Sequence, residues 1–158
     1  MINNSEHSHQ SEYTRGVLLV DDDERVRQML SLALTTAGFD VFAAGTKQQA
    51  DLRLAQTRPD ALVLNLQRSE ADGLDLLECM RARPELSQVP ILFLAGSDSD
   101  GFQWQAIRAG ADWFGLRPLP IIQLKTRIRQ LIREGRPKLK LIAACARPSG
   151  VRRLELTG

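Results

Sequence analysis

The sequence predicts an α/β domain built on an open parallel sheet, and three observations carry that prediction. Short all-apolar runs of about four to six residues alternate with longer segments whose apolar residues recur at helical spacing. The runs are apolar at consecutive positions, as strands covered on both faces are. Polar or charged residues stand at or just past the ends of these runs, at Asp21, Asn65 and Arg117. In open α/β sheets that is where chemistry gathers, beyond the carboxyl ends of the strands. Strict alternation of strand and helix gives parallel βαβ units with right-handed crossovers and helices on both faces.

Taken in order, residues 1–15 are polar and aperiodic, with one aromatic, and are expected to be a disordered arm. Residues 17–20 form the first strand. Residues 23–38 place Val26, Met29, Leu30, Ala33 and Leu34 at helical spacing, with Gly38 at the stop. Residues 39–44 are a second strand. A helix over 46–59 is capped by Thr46 and ends before Pro59. The third strand, 60–66, is followed by loop-like residues and a helix over 73–84. A fourth strand (89–96), a fourth helix (101–111) and a short fifth strand (112–116) follow. The last helix spans 119–135, with Pro120 suited to its first turn.

Bulk composition narrows the class. At 158 residues with 43% apolar content, the chain reads as one domain with appendages. No apolar run approaches the roughly 20 residues needed to span a bilayer, so no membrane association is expected. The N-terminus has neither a basic start nor an apolar core of a secretory signal. Cys79 and Cys145 lack metal-ligand spacing and form no disulfide framework. A reduced, cytoplasmic setting is expected. The net charge of +2 is uneven: −1 over residues 1–15, −2 over 16–132 and +5 over 133–158. The basic tail, 134–158, contains two strand-like runs around Pro148-Ser149-Gly150. It reads as a β-hairpin, as the opening of a truncated output domain, or as a strand for a dimer's sheet edge. A basic tail also suits nucleic acid, although a solvated linker is the plainer reading.

Four motifs stand in register. Asp21 to Asp23 follow the first strand. Asp72-Gly73 lies just beyond the polar tip of "ALVLN". "VPILFLAG" closes the fourth strand, and "AGADWFGLRPLP" brings an aromatic and a basic residue before Pro118. Together, over residues 16–133, they closely resemble the receiver domain of bacterial two-component response regulators. That resemblance implies a flavodoxin-like (βα)5 sheet in the order 2-1-3-4-5. It also implies an acidic pair holding Mg²⁺ and an aspartate on the third strand that accepts a phosphoryl group from a histidine kinase. A Thr or Ser on the fourth strand and a Lys after the fifth complete the family's pocket. A carboxylate nucleophile, a neutralising ion, a hydroxyl and an ammonium are what an acyl phosphate requires.

Carried over by position, Asp21 and Asp22 match the acidic pair, while Asn65 occupies the phosphoacceptor position. Ala95 stands for the Thr or Ser and Arg117 for the Lys. Phe114 matches the aromatic that rotates on activation, and Ser69 replaces a common proline. An amide is no carboxylate nucleophile, so Asn65 is not competent to form an acyl phosphate. Mg²⁺, which favours carboxylate oxygen, is expected to bind Asp21 and Asp22 weakly or not at all. Arg117 is expected to reach Asp21 or Asp22 and take over the ion's neutralising role, because two adjacent buried carboxylates repel.

Plainer readings stand beside these. Asp21 to Asp23 also suit a helix N-terminus, Asp23 most simply as its cap. Asn65 also reads as a hydrogen-bonding relic, and Phe114 as static core. Trp104 and Trp113 mark either a partner surface or half-buried rings, and His7 and His9 lack a third ligand. The sequence contains no catalytic set of the Ser-His-Asp or Cys-His kind and no Gly-rich phosphate loop. It is therefore read as a non-enzymatic, phosphorylation-independent receiver acting by protein–protein contact. Its partner would be a signalling protein, an output domain or a second copy of the chain. The expected surface lies on the last two helices, at Trp104, Ile107, Arg108, Lys125 and Arg129. Two alternatives stay open: phosphorylation at a non-standard aspartate, and a DNA-associated regulator using the tail.

Overall fold

The computed structural model of the chain describes residues 13–97 and 101–137. Most of the N-terminal arm, the His7 and His9 pair, Cys145 and the anticipated tail hairpin lie outside the described residues. Five strands and five helices alternate: β1 (Gly16–Asp21), α1 (Glu24–Thr36), β2 (Asp40–Ala44), α2 (Lys47–Gln56), β3 (Ala61–Asn65), α3 (Glu70–Arg81), β4 (Ile91–Ala95), α4 (Phe102–Ala109), β5 (Trp113–Leu116) and α5 (Ile121–Glu134). All pairings are parallel, in the order β2-β1-β3-β4-β5. This is the expected flavodoxin-like arrangement.

Side chains of a strand point alternately to opposite faces, and here each face meets its own helices. Leu18, Val20, Leu62, Leu64, Ile91 and Phe93 pack with Leu77 and Met80 of α3 and Ala106 of α4. Val17, Leu19, Val63, Leu92 and Leu94 pack with Leu34 of α1 and Ile128 of α5. Each fully buried leucine contributes about 1.5–3 kcal/mol relative to exposure, so consecutive apolar positions stabilise both layers at once. Gly73 has a packing reason: a Cβ there would lie 2.9 Å from the Phe93 ring, so the residue lets α3 approach β4.

Three local features differ from the sequence expectation. Helix α3 begins at Glu70 instead of residue 73, because the Ser69 hydroxyl accepts from the Asp72 N–H at 3.1 Å and caps the helix. Met29 does not join the buried stripe and is 60% exposed, since Leu30 and Leu34 occupy the core-facing positions of α1. Pro120 takes the cap position before α5, not its first turn. A 3₁₀ turn, Pro84–Leu86, also follows α3.

At the end of the sheet where β4 begins, Asp112 anchors a clamp. Its buried carboxylate accepts from Arg81 Nη2 and Arg136 Nε, each at 2.8 Å, and from the Ile91 N–H at 2.9 Å. Arg136 lies just beyond α5, so the clamp fixes where the chain leaves the last helix. No helix among the described residues is long and apolar enough to cross a membrane.

Candidate functional site

The β1–β3 register pairs Asp21 with Asn65, the last residue of each strand. Both side chains are buried. Asn65 Nδ2 donates to Asp21 Oδ2 at 2.7 Å. Arg117 is the residue after β5, and its backbone N–H donates to the Ala95 carbonyl at 2.8 Å. From there its Nη1 donates to Asn65 Oδ1 at 2.8 Å and to the Leu94 carbonyl at 3.1 Å. The result is a directed relay from Arg117 through Asn65 to Asp21.

An amide is suited to the middle of that relay. It offers an acceptor to the guanidinium and a donor to the carboxylate, so only one orientation of the Asn65 group satisfies both neighbours. The direct pairing of Arg117 with Asp21 or Asp22 expected from sequence is replaced by this indirect one. The cause is strand order: β5 and β1 flank β4 and β3, so the guanidinium meets Asn65 before it can reach the first-strand acids.

The three consecutive acids have three separate roles. Asp21 is buried, and its Oδ1 accepts from the Asp23 N–H at 2.8 Å and from Gln67 Nε2 at 3.4 Å. Burial pushes its pKa up. Hydrogen bonds from Asp23, Asn65 and Gln67 pull it down, and the neighbouring Asp22 charge pushes it up; the net direction is upward. Asp22 is only partly buried, which corrects the expectation of two adjacent buried carboxylates. Its oxygens accept from the Gln67 and Arg68 N–H groups at 2.7 and 3.0 Å. Asp23 caps α1, accepting from the Arg25 and Val26 N–H groups at 2.9 and 3.0 Å.

Ala95 is fully buried within the α2–α3–α4 core. Phe114 is half-buried in a cluster of three rings, with centroids 6.3 Å from Phe93 and 6.2 Å from Phe102. Three residues the sequence did not single out also reach the site. Arg27 Nη1 donates to the Asp21 carbonyl at 2.7 Å. Gln67 contacts both first-strand acids. Glu70 Oε1 accepts from the Gly96 and Ser97 N–H groups at 3.1 and 3.2 Å. A signal for Gln67 was its position two residues beyond the polar strand tip; those for Arg27 and Glu70 depend on main-chain partners that sequence does not display.

The anticipated partner surface divides. Trp104, Ile107 and Lys125 are half-buried and Arg108 is exposed. Arg129 turns away: Nη2 donates to the Ala37 carbonyl at 2.8 Å, and the guanidinium lies 5.4 Å from the Phe39 ring centre, at the end of α1. Arg127, within the Lys125 to Arg133 stretch expected to form the surface, stands over the Trp113 ring at 5.5 Å. Leu116 and Ile122 add exposed apolar surface at 47% and 67%.

The donors expected around Mg²⁺ are otherwise engaged. Both Asp22 oxygens face main-chain N–H groups, the Asn65 oxygen faces a guanidinium, and its nitrogen is a donor. Among the described residues, no group of three or more His, Cys, Asp or Glu side chains is placed to hold a metal ion.

Comparison with known proteins agrees with this architecture. The family described as "Response regulator receiver domain" matches residues 17–129. Response regulator MprA of Mycobacterium leprae (strain TN) is 36% identical over 121 residues, covering 77% of this chain and 52% of the relative. MprA of Mycobacterium avium (strain 104) is 35% identical over 122 residues, with 77% and 53% coverage. The chain thus spans about half the length of the curated relatives it matches. A putative response regulator from Chloroflexus aurantiacus J-10-fl superposes with a TM-score of 0.68 at 28% identity, covering 76% of this chain and 98% of that one. The chemotaxis protein CheY4 of Vibrio cholerae, at 24% identity and a TM-score of 0.68 over 74% of this chain and 98% of its own, shares the fold. The chain belongs to the response regulator receiver domain family, the signalling modules of two-component systems.

Proposed function

We propose that this chain is a pseudo-receiver: a signalling module whose pocket is set by its own side chains and not by phosphotransfer. The observation that carries the reading is the Asn65 amide, held between Arg117 and Asp21 at the tip of β3. An amide there is not a carboxylate nucleophile, and its oxygen already accepts from a guanidinium. Ala95 offers no hydroxyl to a phosphoryl group. The guanidinium is permanently charged, so the pocket carries its cation at all times. Mg²⁺ affinity is weak or absent on this reading, because the remaining donors do not form a hard-ion site.

Such a module works by protein–protein contact in a cytoplasmic setting, and no residue of the site acts as a catalyst. Its surface is the edge formed by α4, β5 and α5, where Trp104, Arg108, Leu116 and Ile122 present mixed apolar and basic area. Its partner is a signalling protein, an output domain or a second copy of the chain. Incubation of the full chain with acetyl phosphate and Mg²⁺, read by intact mass, tests the reading. An unchanged mass is expected. A stoichiometric phosphoryl adduct overturns it, and mapping that adduct would identify the acceptor.

A further inference from the structure

Two pairs of consecutive main-chain N–H groups stand beyond the carboxyl ends of β3 and β4, and this chain fills both with its own carboxylates. Gln67 and Arg68 donate to Asp22. Gly96 and Ser97 donate to one oxygen of Glu70, 26 and 27 positions away in sequence. Successive N–H groups converging on one point make an anion-binding concavity. An acid in the first turn of a helix is favoured by the dipole alone, and that accounts for Asp72, which is exposed in the same turn of α3. It does not account for Glu70, whose carboxylate leaves its own helix to reach the residues after β4. The relay converges on the same place: a Cβ on Gly96 would stand 3.2 Å from Arg117 Nη2 and 3.7 Å from Glu70 Oε1.

We propose that Glu70 is a resident anion. Its carboxylate occupies the Gly96–Ser97 concavity that an external anion would otherwise fill, and so ties the start of the β4–α4 connection to α3. This deepens the pseudo-receiver reading and rests on it: Arg117 supplies a built-in cation and Glu70 a built-in anion. The backbone at Gly96 and Ser97 is then held by the chain's own carboxylate, and a partner that reads these two residues meets them in one state.

The test is amide hydrogen exchange at Gly96 and Ser97 in the full chain, with neither Mg²⁺ nor phosphodonor present. Glu70→Ala should accelerate exchange at these two amides about tenfold or more, the scale of one lost charge-assisted hydrogen bond. Amides of β1 and β3 should be unaffected. Sodium acetate should slow the two amides again in Glu70→Ala and leave the unsubstituted chain unchanged. Glu70→Gln keeps the side chain's length without its charge, should show a smaller acceleration, and serves as the readout if the alanine variant does not fold. Unchanged exchange in the variants overturns the proposal. So does acceleration that acetate fails to reverse, which would make Glu70 a structural tether only. Failure here is separate from failure of the pseudo-receiver reading, which a phosphoryl adduct on the unsubstituted chain would produce.

Discussion

Arg117 and Asn65 meet in a single hydrogen bond, 2.8 Å from Nη1 to Oδ1, made across β4 by a residue that follows β5. The bond matters because of what lies behind it. Asn65 passes its own donor to Asp21, a carboxylate at 0% exposure. A buried charge without partners is costly, so the amide connects a cation and an anion that do not touch.

Removing the amide should therefore take the donor from Asp21 Oδ2 and one acceptor from Arg117, leaving each with its remaining partners. Asn65→Ala is expected to lower stability by about 2 kcal/mol, within the range for leaving buried charged groups unsatisfied. Urea unfolding with an unchanged slope measures it. A loss below about 0.5 kcal/mol, the usual scale of an unremarkable surface substitution, would show that the relay does not stabilise the fold.

Asp21 gives a pH signature. Its native pKa is raised above the ordinary 3.8, chiefly by burial. The unfolded chain therefore releases this proton at lower pH than the folded one. Between 3.8 and the raised native value the folded state holds more protons, so stability contributed by Asp21 is present below that window and declines as pH rises through it. Asp21→Asn lacks the titration. The stability of the unsubstituted chain minus that of the variant should fall with rising pH across the window. A difference that is flat or grows contradicts the upward shift.

The Asp112 clamp at the other end of the sheet should be graded. Asp112→Ala leaves Arg81 and Arg136 without their shared carboxylate and is expected to cost about 3 kcal/mol, the scale of breaking a buried ion pair. Arg136→Ala removes the more exposed partner, 30% against 14% for Arg81, and should cost about 1 kcal/mol. Thermal or urea unfolding of both variants measures this. Equal losses would contradict the ranking.

How much of this was legible in the sequence depends on the kind of contact. Strands buried on both faces are visible as consecutive apolar residues, so Val17 to Val20 and Ile91 to Leu94 revealed the sheet. The caps Asp23 and Thr46 were legible because their side chains bond their own helices. Ser69 was harder, since it caps α3 from within what reads as a loop. The site residues Asp21, Asn65 and Arg117 were visible at strand ends, but their connectivity was not. Whether Arg117 meets an acid or the amide depends on which strand lies between them. Glu70 was invisible for the same reason: its partners are main-chain N–H groups of Gly96 and Ser97, which carry no sequence signal.

The relay itself is tested most directly by crystals of the full chain soaked in Mn²⁺, with anomalous diffraction locating the ion. The relay predicts the Arg117 guanidinium on Asn65 Oδ1 and no anomalous peak at Asp21 or Asp22. An ordered ion seated against those two carboxylates, with the guanidinium turned out to solvent, would contradict it.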